Sequence, residues 1–197
     1  MRTLLAALLV TLTARTALTD EREINLVLTS GPTALQRHGS WNLGGGAQMR
    51  AGYGIVDALA VEASGGCDYL SSMAHPGGAG YGDDVDVIYN ATRCAFVPGL
   101  QARFGARYVW SVAAGLGYRY ERRTDRVAVS RASNVQLTSL PKSTQHHLVG
   151  TIRGGFEYRI WDYFAVGADI LALKTLAYGP DDLELRGALT LGVYVYP

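Results

Sequence analysis

Charged and amide side chains of both signs recur at every second position along most of this 197-residue chain. In order they are Asn25, Gln48 and Arg50, Glu62 and Asp68, Arg93, Gln101 and Arg103, Arg119 and Glu121, Arg153, Glu157 and Arg159, Asp169, then Glu184 and Arg186, with Gly between them. The chemistry open to such a set is ion pairing, because planar guanidinium forks match carboxylates in two-point hydrogen bonds. A period of two places these groups on one side of β-strands. If that side is enclosed, the ions must pair, since an unpaired buried charge costs several kcal/mol. We therefore expect an interior network of Arg50, Glu62, Arg103, Arg119, Glu121, Arg153, Glu157, Asp169, Glu184 and Arg186. The alternative is a solvated outer face around a soluble calyx.

Other reactive types are few. His146-His147, with Ser143 nearby, could tempt a hydrolase or acyltransferase reading, but adjacent strand residues point to opposite faces and cannot share one site. No nucleophile motif surrounds them, and we expect no catalytic residue, cofactor or resident metal. Asp83, Asp84 and Asp86 lie in a Gly-rich loop whose spacing is not that of an EF-hand. Arg122, Arg123, Arg126, Arg131 and Lys142 make the 122–144 connection basic enough to meet lipopolysaccharide phosphates. Cys67 and Cys94 are the only cysteines. Both take the outward register at similar heights on adjacent strands, so in an exported chain they are expected to form a cross-strand disulfide.

The positioning elements follow from alternation. In Trp110 to Glu121 one face reads Trp, Val, Ala, Leu, Tyr, Tyr and the other Ser, Ala, Gly, Gly, Arg, Glu. Runs of this kind predict eight strands near 23–30, 44–54, 59–69, 86–104, 107–122, 145–158, 164–174 and 183–196. Three connections are short, after Gly54, Phe104 and Ile160. The others, 31–43, 70–85, 123–144 and 175–182, are read as long loops, so short and long alternate.

Aromatic residues sort by height along these strands. Tyr53, Phe104, Tyr108, Trp110, Tyr158, Trp161, Tyr163, Phe164, Tyr194 and Tyr196 gather at the short turns, and Tyr69, Tyr89, Tyr118, Tyr120 and Tyr178 near the long loops. Between them the apolar face carries Val61, Val112, Leu116, Ile152, Val166, Ile170, Leu189 and Leu191. Two aromatic girdles around an aliphatic band are the pattern of a transmembrane barrel. No stretch is apolar for long enough to cross as a helix.

Composition agrees with one exported domain. The net charge of +1 gives no global field of the kind that draws nucleic acid. Gly (24) and Tyr (12, against 4 Phe) suit strands that meet at an oil–water boundary. Met1-Arg2, the apolar run from Leu4 to Leu12 and the small residues Ala14, Ala17 and Thr19 have the layout of a cleaved leader, placed at 1–19, with a barrel over 20–197.

The segment from Gly44 to Ala63, with its Gly-rich strand, Gly52-Tyr53 pair, Asp57 turn and second strand, resembles a hairpin of small OmpA/OmpW-type outer-membrane β-barrel proteins. Phe156 to Ala168 looks like a second copy of it. The resemblance implies an eight-stranded antiparallel up-and-down transmembrane β-barrel in a bacterial outer membrane. Its implied partners are outer-membrane lipid, lipopolysaccharide and, during biogenesis, the barrel-assembly machinery. It differs from members that close on Phe, since the chain closes on Val193-Tyr194-Val195-Tyr196-Pro197. The expected role is structural or interactive, through the external loops; a narrow solute channel and a lipid A-modifying enzyme are the rival readings.

Overall fold

In a computed structural model the described residues are 22–37, 40–56, 58–76, 84–177 and 182–196. The expected leader at 1–19, together with Asp57, Asp83, Tyr178 and Pro197, lies outside them. The strands are β1 (Ile24–Arg37), β2 (Ser40–Val56), β3 (Leu59–Pro76), β4 (Val85–Phe104), β5 (Tyr108–Ser130), β6 (Gln136–Leu140), β7 (Ser143–Trp161), β8 (Phe164–Ala177) and β9 (Leu183–Val195).

Every pairing is antiparallel, in the order β4-β3-β2-β1-β9-β8-β7-β5, and β5 returns to pair with β4. The ring therefore has eight strands and no open edge along the wall. The ninth strand, β6, pairs only with β5, above the point where β7 begins. Pro141-Lys142 interrupts what would otherwise be one strand along β5.

The strands run past the expected ends. Residues 31–37 and 40–43, expected as part of a loop, instead extend β1 and β2 as a hairpin in register to Arg37↔Ser40. Most of 123–144, also expected as a loop, is the end of β5, β6 and the start of β7. The physical reason is that a sheet continues wherever its backbone groups can keep pairing, and crossing the bilayer needs only about 9–11 residues per strand. β5, at 23 residues, projects well beyond that.

Burial follows the period of two, turned inside out. Arg93 and Arg119 are 1 % exposed, whereas Leu189 is 76 %, Ile170 67 % and Ile152 66 % exposed. A water-soluble protein would reverse that order. At the β4–β5 turn, Gly105 holds φ +99° and a Cβ there would strike the Tyr108 carbonyl, so the tight reversal needs glycine. Inside, a Cβ on Gly46 would collide with the Asp68 carboxylate, so glycine makes the space for a charge.

Candidate functional site

The lumen is filled by three tiers of ions. At the end bearing the short turns, Glu23 accepts from Arg103 and from Arg159 (2.7 Å) and from the Tyr196 hydroxyl (3.0 Å). Both guanidiniums stack over the Tyr194 ring, at 4.9 and 4.6 Å from its centroid.

The middle tier joins Arg50 to Asp169 (3.0 Å) and Glu157 (3.6 Å), and Arg153 to Glu62 and, at 3.8 Å, to Asp169. Above it Arg186 pairs with Asp68, whose other carboxylate oxygen takes the Thr33 hydroxyl at 2.7 Å.

The tier nearest the long connections is the densest. Arg37 donates to Asp182 (2.8 Å through Nε), the Tyr89 hydroxyl (2.6 Å) and Glu121 (3.2 Å). Arg93 donates to Glu121 (2.8 Å), Asp182 (2.8 Å) and Glu184 (3.1 Å). Arg119 donates to Thr175 (2.7 Å) and lies 3.7 Å from Glu184, and Arg123 donates to Glu121 (2.6 Å). Each carboxylate here is shared between several guanidiniums, which spreads the cost of burying charge over many hydrogen bonds.

The pairs run across the bore. In the ring order β4 stands opposite β9, β1 opposite β5 and β2 opposite β7, so Arg93–Glu184, Arg37–Glu121 and Arg50–Glu157 each span the barrel. The space left among Gln48, Arg93, Arg119, Thr151 and Glu184 is a cavity of about 10 Å³, at most one water.

All ten residues expected in the interior network face the lumen and are brought into it. Sequence reasoning missed Glu23, Arg37, Arg123 and Asp182 as members. Arg37 and Arg123 fall in stretches expected as loops, yet the inward parity of Asn25, Thr29 and Thr33 reaches Arg37 along β1, and Arg123 shares the parity of Glu121 on β5.

Of the expected short-turn girdle, Tyr53, Tyr108, Trp110, Trp161 and Tyr163 are exposed, and Phe104, Tyr158 and Phe164 are half-buried. Tyr108 and Trp110 pack on Phe156, and Trp161 on Tyr163 and Phe164. Tyr194 is a correction: it turns inward, 1 % exposed, and donates its hydroxyl to Glu157. It shares the inward parity of Glu184 and Arg186 on β9. Tyr89, expected in the outer girdle, is likewise inside, against Arg37.

Cys67 and Cys94 are directly opposite on β3 and β4 and joined by a disulfide. His146 faces outward among Tyr118 and Tyr120, while His147 is buried inside, so the two rings share no site. Asp86 is engaged by Arg131 at 2.7 Å, and among the described residues no cluster of His, Cys, Asp and Glu could hold a metal.

No protein-family model matches the chain, and no curated protein sequence matches it. Solved structures do. Neisserial surface protein A superposes with a TM-score of 0.61 at 8% identity, over 86% of this chain and 96% of that one. The attachment invasion locus protein Ail of Yersinia pestis, solved with the heparin analogue sucrose octasulfate, superposes with a TM-score of 0.56 at 12% identity, over 89% of this chain and 99% of that one. The chain has the fold of the small outer-membrane β-barrels.

Proposed function

We propose that this chain is a non-enzymatic outer-membrane barrel with a sealed polar lumen, acting through the surfaces it presents outside. The supporting observation is the interior itself: guanidinium–carboxylate pairs cross the bore, and the cavity among Gln48, Arg93 and Glu184 holds about 10 Å³. A bore of eight strands is just wide enough for side chains to fill. The leader at 1–19 is removed on export, and residues 20–197 insert with the aid of the barrel-assembly machinery. The short turns and both chain ends then face the periplasm.

What remains for interaction is the external rim. Arg122 and Lys142 are exposed there and Arg126 donates to the Pro141 carbonyl at 2.7 Å, while Arg131 is matched by Asp86. This rim is suited to anionic sugars or phosphates, and Ail was solved in complex with the heparin analogue sucrose octasulfate.

Planar-bilayer recording and heat-modifiable gel migration test the reading together. The folded chain shifts on heating, as closed barrels do, and stays electrically silent. Steady single-channel steps from the wild-type chain would overturn the sealed lumen, and a monomer that stays in buffer without detergent would overturn the membrane barrel.

A further inference from the structure

Above the outer aromatic belt, β3, β4, β5 and β6 continue as one sheet, in the register row Ala74–Ile88–Val127–Ser139. The last of these, β6, pairs only with β5. Lower on the same side, the pairing of β7 with β8 starts at Leu148, so among the described residues no strand lies beside Ser143–His147 there either. Gln136–Leu140 and Ser143–His147 therefore offer an open main-chain edge at and above the outer belt.

This edge is held ready. Leu140 packs on the buried cluster that includes Leu35, Leu70 and Met73, the Arg126 guanidinium donates to the Pro141 carbonyl at 2.7 Å, and the Ser130 amide donates to the Val135 carbonyl at 3.0 Å. A strand anchored at both ends loses little freedom when it pairs. Nor is the edge guarded, since β6 carries no charge and Val135 and Leu137 are 56 % and 53 % exposed.

Unpaired strand amides and carbonyls recognise another extended main chain, through ladder hydrogen bonds. Side chains set the sign of that partner. From Arg126 to Phe156 the chain has no Asp or Glu. Arg122, opposite Thr144 of β7, and Lys142, between β6 and β7, are exposed and make no ion pair among the described residues. We propose that β6 and the top of β7 take up an extended acidic segment of a protein partner as an added strand, its carboxylates meeting Lys142 and Arg122.

Other occupants fit less well. Antiparallel self-pairing needs a two-fold axis across the strands, which turns the second barrel upside down. In one membrane the axis lies along the normal, and strands that tilt by about 35–45° then cross instead of pairing. Anionic sugars match the charge but have no main-chain edge. The inference rests on the outer-membrane reading above, and its test keeps the two apart.

The full chain is folded into phosphatidylcholine nanodiscs and titrated with a labelled short peptide alternating Glu and Val, with binding read by fluorescence anisotropy. Amide hydrogen exchange locates the contact, and heat-modifiable migration reports the barrel itself. The peptide binds and slows exchange over Gln136–Leu140 and Ser143–His147. A copy N-methylated on both strand edges binds about ten-fold more weakly. Arg122→Gln with Lys142→Gln lowers affinity about five-fold. Sucrose octasulfate, charged but without a backbone, leaves exchange in β6 unchanged.

Equal binding of the N-methylated copy, or slowed exchange elsewhere only, would overturn the added strand while the heat shift leaves the barrel reading intact. No binding of the Glu and Val peptide by normally folded chain would overturn it too, and equal affinity in the double Gln variant would overturn the acidic partner. Vesicles joined through Thr138→Cys disulfides would give the edge to a second copy in a facing membrane.

Discussion

Arg93 of β4 and Asp182, just ahead of β9, meet at 2.8 Å although they are separated by 89 residues and stand on opposite sides of the ring. The same guanidinium also reaches Glu121 and Glu184. These contacts act as struts across the bore, and wall and filling hold one another in place.

Asp182 lies above the strand end and reads out the outer tier. Burial would raise its carboxyl, but hydrogen bonds and charge from Arg37, then Arg93, win and hold it below the usual carboxylate range. A group lowered in the folded state adds stability above its unfolded pKa, about 4, and loses it as pH falls through the folded value. Resistance to unfolding in urea should therefore fall below about pH 4. Asp182→Asn should remove much of that pH dependence and cost about 3–5 kcal/mol at neutral pH by stranding buried guanidinium charge.

The Arg153–Glu62 pair separates the worth of a strut from the cost of breaking it. Glu62→Leu or Arg153→Met alone should destabilise by about 3–5 kcal/mol, and the double variant should recover most of that loss. Denaturant titration of all four proteins checks this; additive losses would mean that the two residues do not act as a pair.

The Cys67–Cys94 bond closes a loop of 27 residues. Reduction, or Cys67→Ser with Cys94→Ser, should cost about 3 kcal/mol through the greater freedom of the unfolded chain. The fold should survive, because β3 and β4 stay paired along most of their length. Denaturant midpoints with and without reductant measure it.

Depth along the wall can be read with lipids carrying a quencher at a chosen position. Trp110 and Trp161, in the short-turn belt, should be quenched best by headgroup-level labels and a Leu189→Trp reporter by mid-chain labels. Leu189→Arg should cost about 2–4 kcal/mol, as expected near the bilayer midplane.

The alternation that revealed the strands depends only on neighbours in sequence, so Trp110 to Glu121 declared both faces at once. Tyr194 departs from the expected girdle because parity, not aromatic type, sets the face of a strand residue. Arg37 and Arg123 lie where turn-like composition at 31–43 and 123–144 hides a continuing register. Which ion meets which was illegible for another reason: partners such as Arg37 and Glu121 sit on opposite staves, and only closure of the ring determines that they face one another.

The seam between β1 and β9, in register from Ile24↔Val195 to Gln36↔Leu183, joins the first and last described strands. No cylinder can close until both are in place, so up to that point the oily rows lie unshielded and the guanidiniums unmatched. Assembly of such a ring is therefore slow and nonlocal, and the open sheet is prone to aggregate.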